Sequence, residues 1–272
     1  MPNSDYVFQS GEPVEVGQAG DHAYEFVSGS PLVDSGASEF VFVSGTGIGS
    51  SATGIGSSAT VIDDLERGDL SPYIDYGIQN PYHQYGGQNA GITTSPTYEG
   101  TYAIAMVGND NALVSYPGDG LPYYPVRGDV IEYYTWLSSG NDMGVEIDFC
   151  VQDHGYRNEY WYEASLKNFD PSTNPGSVHI GKRKGTSWDR GPIQSGDPLP
   201  SDTWLRCRIE IGDPTIAVTG YYPDGSGGWT AEATVSMDDT EWSSGGVGWH
   251  TSQSGQTGGD IYADLARKTG TV

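Results

Sequence analysis

The sequence predicts an all-β protein: short N-terminal β-strand repeats followed by a β-sandwich or jelly roll. Three observations carry that prediction. Apolar and polar residues alternate with a period of two through many short segments, which turns one side of each toward a core. Turn-forming clusters separate the segments, among them Pro117-Gly118-Asp119-Gly120, Ser139-Gly140-Asn141-Asp142 and Pro223-Asp224-Gly225-Ser226-Gly227-Gly228. With 40 Gly and 16 Pro in 272 residues, no segment offers a long amphipathic helical pattern.

The chain opens on a phrase used three times, aromatic-x-Phe-x-Ser-Gly, beginning at Tyr6, Tyr24 and Phe40. Rings at alternate positions share one strand face, and Ser-Gly supplies the turn that ends it. Units this short cannot bury an aromatic face alone. They must stack on one another, on another domain or on copies of the same chain. Residues 1–45 are therefore expected to be an anchor and oligomerisation region, with a homotrimer as the favoured assembly. Residues 46–60 form a Gly/Ser-rich joint in which Gly-Ile-Gly-Ser-Ser-Ala-Thr occurs twice, at 47–53 and 54–60. Such composition reads as a flexible linker, while the perfect duplication also allows an extended stalk packed against identical chains.

Residues 61–272 carry the sandwich. The alternation predicts strands at 61–66, 100–107, 129–137, 144–152, 159–167, 177–183, 203–211, 215–222, 229–236, 246–250 and 260–266. Around 145–151 the apolar set is Val145, Ile147, Phe149 and Val151, which assigns Cys150 to the opposite face with Glu146 and Asp148. Cys207 falls with Leu205, Ile209 and Ile211, so the two cysteines are expected as free thiols. Tyr160, Tyr162, Ala164 and Leu166 read as core-facing, and Trp161 and Glu163 as facing the side of Glu146 and Asp148.

Charge bounds the partners. The formal net charge is −24, and no Lys or Arg precedes Arg67. Such a field repels nucleic acid and anionic lipid, so neither is expected to bind. Scarce Lys and abundant Asp on an aromatic-rich, folded chain point to a halophilic setting, where molar salt screens the self-repulsion. No secretory or twin-Arg signal follows Met1, and no apolar run is long enough to enter and span a membrane. A protein without an address is expected in the cytoplasm or inside an assembly such as a virus particle.

Five segments, in order, resemble strands of the concanavalin A-like (laminin-G-like) jelly rolls. They are Val61-Ile62-Asp63-Asp64-Leu65-Glu66-Arg67-Gly68-Asp69-Leu70, Ser95-Pro96-Thr97-Tyr98-Glu99-Gly100-Thr101-Tyr102-Ala103, Thr203-Trp204-Leu205-Arg206-Cys207-Arg208-Ile209-Glu210, Gly245-Gly246-Val247-Gly248-Trp249 and Tyr262-Ala263-Asp264-Leu265-Ala266-Arg267. The resemblance covers about 61–267 and implies that family's roles: carbohydrate binding, adhesion and, in some branches, glycan cleavage. It also implies a structural Ca²⁺ joining the first and last strands. Glu66, Asp264 and carbonyls from Tyr98 to Gly100 would supply its oxygens, with Asp64 and Asp63 in reserve. Leu65 departs from the Phe of the family's Phe-Glu-x-Gly opening, and Arg67 is placed to neutralise Glu66 instead.

Cleavage of the laminarinase/agarase type would resemble Glu-x-Asp-x-(x)-Glu on one strand. Glu146-Ile147-Asp148-Phe149 matches the first half, but Cys150 and Val151 occupy the positions of the acid/base Glu. A retaining mechanism needs two carboxyl groups about 5–5.5 Å apart. Glu146 and Asp148 are near that spacing, but Asp148 matches the orienting residue, and Glu163 on a neighbouring strand could complete a pair. No nucleophile elbow, Walker A or zincin motif is present, and the five histidines are dispersed without ligand spacing, as surface or turn residues. No enzymatic activity is therefore expected.

For sugar binding, aromatic faces stack on pyranose rings while charged and amide groups take hydroxyls. The expected glycan ligands are Trp161, Glu163, Glu146, Asp148, Tyr156 and Arg157, with Trp188 in a loop at 185–191. Trp204, Arg206 and Arg208 are expected to line the same groove. The expectation is thus a non-enzymatic surface appendage of a halophilic virus, of turret, spike or tail-fibre type. It would be assembled in the host cytoplasm and mounted on other virion proteins through residues 1–60. Its jelly roll would decorate the particle or bind host glycan. The alternatives are a glycoside hydrolase and a cellular haloarchaeal lectin or adhesin.

Overall fold

The computed structural model describes residues 5–9, 12–17, 24–26, 59–75, 90–107, 112–138, 144–155, 158–166, 178–185, 187–251 and 260–272. The chain divides into two compact units, Met1–Ile55 and Gly56–Val272. In the first, β1 (Asp5–Gln9) pairs antiparallel with β2 (Glu12–Gly17) and parallel with β3 (Tyr24–Phe26). The parallel register sets Tyr6 against Tyr24 and Phe8 against Phe26, so the first two copies of the repeat lie side by side in phase. The third copy and the duplicated joint up to Ser58 fall outside the described residues.

The second unit is a sandwich of two sheets in which every strand pair is antiparallel. Its strands are β4 (Thr60–Asp63), β5 (Ile74–Asp75), β6 (Ala90–Thr93), β7 (Ala103–Val107), β8 (Ala112–Ser115), β9 (Asp129–Leu137), β10 (Glu146–Gly155), β11 (Asn158–Leu166), β12 (Val178–Lys184), β13 (Ser187–Ser195), β14 (Thr203–Ile211), β15 (Thr215–Pro223), β16 (Trp229–Asp238), β17 (Gly246–His250) and β18 (Asp260–Thr271). One sheet runs β13-β12-β11-β10-β17-β8-β5; the other runs β16-β15-β14-β9-β18-β7-β6, with β4 on β18. The chain crosses repeatedly between sheets, the jelly-roll habit that brings β17 and β18 back between early strands. No helix long and apolar enough to cross a membrane occurs among the described residues.

Alternation decides what β14 buries, whereas β8, β9 and β17 are buried on nearly every residue. In β14, Leu205, Cys207, Ile209 and Ile211 are buried while the residues between them are half-exposed. Ile147, Phe149, Tyr162, Ala164 and Leu166 meet them from the facing sheet. Burying one such large side chain contributes roughly 1.5–3 kcal/mol. Tyr133 ties the sheets together, its hydroxyl donating to the carbonyls of Val145 (3.2 Å) and Ala164 (3.0 Å). At Gly220 the sheets approach so closely that a Cβ would stand 2.8 Å from both Leu166 and Val178.

Four predicted features are corrected. Residues 187–195 are a strand, β13, so Trp188 sits on a sheet edge strand rather than in a loop. Short strands β5, β6 and β8 went unpredicted because each is flanked by Gly, Asn and Pro that read as turn. Cys150 faces the main core, not Glu146 and Asp148: it adopts φ 51° at a bulge where pairing shifts against both β11 and β17. The bulge costs one residue of alternation, which turns Val151 outward. Both cysteines are buried free thiols, and burial pushes the Cys150 thiol up to about 12, leaving it inert. Finally, Trp204, Arg206 and Arg208 belong to the other sheet from Glu146 and Glu163, and so line a different face.

Candidate ligand-binding site

The outer face of the β13-to-β5 sheet carries a polar set that strand register brings together. Asp148 on β10 stands opposite Glu163 on β11, and Glu146 stands opposite His250 on β17. Glu163 in turn faces Gly181, and Trp161 faces Arg183, both on β12. Three consecutive strands and the distant β17 thus place three carboxylates, two histidines and an arginine on one surface. Glu146 and Asp148 are fully buried, Glu163 is 1% exposed and His250 7%.

His250 Nδ1 lies 3.5 Å from Glu146 Oε2 and 3.9 Å from Asp148 Oδ1. Burial works against a charged imidazole, but the charges of Asp148, Glu146 and Glu163 outweigh it and raise its pKa to about 10. Below that pH the ring is an imidazolium. On the far side of Glu163, His179 Nδ1 is 3.5 Å from Oε1 and Arg183 Nε is 3.9 Å from Oε2. Ser165 Oγ lies 3.2 Å from His179 Nδ1. Trp161 closes the site at one end, edge-on to His250 with centroids 6.1 Å apart, and packs with Val114 and Val151. Val151, turned outward by the bulge, is the residue that stands beyond Asp148 on this face, where cleavage of the laminarinase type would require a carboxyl group.

The expected residues Glu146, Asp148, Trp161 and Glu163 therefore share one face, and all four are buried. Trp188 pairs with Arg183 by backbone register on the adjacent strand. Tyr156 and Arg157 lie outside the described residues. Two histidines read as surface or turn residues, His179 and His250, are buried members of the site. Only the β10–β17 pairing shows that His250 meets Glu146.

The residues expected to hold Ca²⁺ converge elsewhere. Glu66 Oε1 accepts from the amides of Thr101 (2.8 Å) and Tyr102 (3.1 Å), which lowers its pKa. Asp264 Oδ2 accepts from the amides of Tyr98 (2.8 Å) and Glu99 (3.2 Å). Its Oδ1 is buried and has no hydrogen-bond partner. Burial raises Asp264 to about 6 against those amides, with the charge of Glu66 adding to the rise. A hard cation beside Oδ1 would satisfy that oxygen and offset both charges, so Glu66 and Asp264 fit the group. Asp64 is exposed, and its Oδ1 accepts from the Glu66 amide at 3.2 Å, shaping the turn. Arg67 does not neutralise Glu66: it pairs with buried Asp63 at 2.6 Å and with Asp69 at 3.3 Å.

The opposite outer face has another character. Tyr98 stacks on Tyr134 with centroids 3.6 Å apart, flanked by Trp204 and Trp229. Arg206 lies over Tyr221 at 4.1 Å and Trp229 at 5.3 Å, and Arg267 over Tyr134 at 5.7 Å.

No protein-family model matches the sequence, and no curated protein matches it. Among solved structures, the cellulose-induced protein Cip1 is similar over 75% of this chain and 94% of its own, at 14% identity and a TM-score of 0.48. A GlcNAcα1-4Gal-releasing endo-β-galactosidase from Clostridium perfringens is similar over 80% of this chain and 64% of its own, at 14% identity and TM-score 0.45. The lectin UEA-II complexed with galactose is similar over 74% and 93%, at 10% identity and TM-score 0.42.

Proposed function

We propose that the Gly56–Val272 unit is a carbohydrate-recognition jelly roll without hydrolytic activity. The observation that carries the proposal is the convergence of Glu146, Asp148, Glu163 and His250 on one sheet face, beside Trp161. Burying three carboxylates is costly, and a face that served packing alone would be more stable if apolar. Carboxylates and an imidazolium beside an indole match the hydroxyl and ring faces of a sugar. Val151 supports recognition over cleavage, because it occupies the position beyond Asp148 on this face where a cleaving acid would have to stand.

The N-terminal repeats would hold several copies of this unit, as a homotrimer, on a larger body, and a halophilic virion surface is the setting the acidic composition favours. In-phase pairing of the first two copies supports an assembly role for the repeat. A Ca²⁺ held by Glu66 and Asp264 would pin the 98–102 segment to β18. A glycan array in molar salt tests recognition: bound glycan lost in Asp148→Asn supports it, and absence of any binding sinks it.

Hydrolysis is a second reading, favoured by one distance. Donor oxygens of Glu146 and Glu163 approach within 4.8 Å, near the separation a retaining pair requires. Release of reducing ends from the bound glycan, lost in Glu146→Gln, would establish it in place of the first.

A further inference from the structure

We infer that the same face is a binding site for one divalent first-row transition cation, of the Zn²⁺ or Mn²⁺ kind, held by Glu146, Glu163 and His250. One donor atom from each of these buried residues lies within 4.8 Å of the other two. Around an ion with bonds of about 2.0–2.2 Å, donors stand roughly 3–4.3 Å apart. The 3.5 Å between His250 Nδ1 and Glu146 Oε2 is already in that range, and the remaining donors, within 4.8 Å of one another, would close by up to about 1 Å.

The scaffold favours such a centre. The three ligands come from β10, β11 and β17, neighbours in one continuous sheet, so their backbones are fixed relative to one another. Asp148 Oδ1, at 3.9 Å from His250 Nδ1, is a fourth donor within reach. Arg183 and His179 approach Glu163 from β12. A dication placed among these buried carboxylates would displace the His250 proton and bring one further positive charge to them.

Donor chemistry selects the ion. An imidazole with two or three carboxylates suits Zn²⁺ or Mn²⁺, whereas Ca²⁺ takes six to eight oxygens and no imidazole. The centre is therefore separate in place and in chemistry from the Glu66–Asp264 site. It shares a face with the recognition site proposed above but is measured without any glycan, so either can fail alone.

The full chain, stripped with chelator and dialysed into molar salt, is titrated calorimetrically with Zn²⁺ and, separately, Mn²⁺. One equivalent is expected to bind, with affinity reduced about 100-fold in Glu163→Gln and His250→Asn and unchanged in Asp264→Asn. Electron paramagnetic resonance of the Mn²⁺-loaded wild-type chain should show coupling to one imidazole nitrogen, a readout that needs no variant to fold. No uptake, uptake that Glu163→Gln and His250→Asn leave intact, loss confined to Asp264→Asn, or bound Mn²⁺ without nitrogen coupling would each overturn the inference.

Discussion

The two outer faces of the sandwich bury different things. On the face of β10, β11 and β17, carboxylates and histidines are sealed with almost no exposure. On the face of β9, β14 and β15, tyrosines, tryptophans and arginines stack while most stay half-exposed. Stacked rings and cation–π pairs each contribute to stability, by about 0.5–1.5 kcal/mol. Buried like charges oppose folding unless something offsets them. The comparison assigns stability to the aromatic face and ligand chemistry to the acidic one.

Variants on each face test that division. The largest effect is expected from Tyr98→Ala, which removes a ring stacked on Tyr134 and flanked by Trp204 and Trp229. A loss of about 3 kcal/mol in denaturant-induced unfolding, with glycan and cation binding retained, is the expected result. Asp148→Leu should do the reverse, abolishing ligand binding while raising stability of the cation-free chain by about 1–2 kcal/mol. If Asp148→Leu instead unfolds the protein, the acidic face is structural and the division falls.

Arg206→Lys keeps the charge but loses the planar stack on Tyr221, and about 1 kcal/mol of stability should go with it. Equal stability of the variant and the wild type would show that the aromatic face is not held by this contact.

pH separates the faces further. The folded-state pKa of His250, about 10, lies above the ordinary value of 6.5. Its stabilising contribution is therefore complete below 6.5 and lost as pH rises through 10. Denaturation midpoints of the chelator-treated chain should fall across that window, and His250→Gln should flatten the fall. Asp264 behaves oppositely to an ordinary paired acid: raised from 3.8 to about 6, it favours the folded state when protonated. Stability should decline as pH rises from about 4 through 6, and Asp264→Asn or added Ca²⁺ should remove the smaller decline.

Much of the architecture was legible from periodicity. Strands β9, β14 and β17 were read to the residue, because their apolar and β-branched runs ended on unambiguous turn residues. The shared face of Glu146, Asp148, Trp161 and Glu163 was legible for the same reason. Cys150 was misread because a bulge leaves no mark in composition, and one unpaired residue reverses every side chain after it. Trp204, Arg206 and Arg208 were assigned to the wrong groove because alternation says which way a side chain points from its strand, not which sheet that strand joins.

The sequence by itself determined the longer strands, the buried side of β14, the acidic field and the repeated N-terminal phrase, since each is a local consequence of side-chain order. Only the tertiary structure decided that His250 meets Glu146, that Asp264 and Glu66 hold the same segment, and that Arg206 and Arg208 lie on a different sheet from Glu146 and Glu163. Several of those pairings join residues a hundred or more positions apart, as for Glu146 and His250 or Asp264 and Tyr98. They arise from the order in which strands enter two sheets, a property of the whole packed chain and of no single segment.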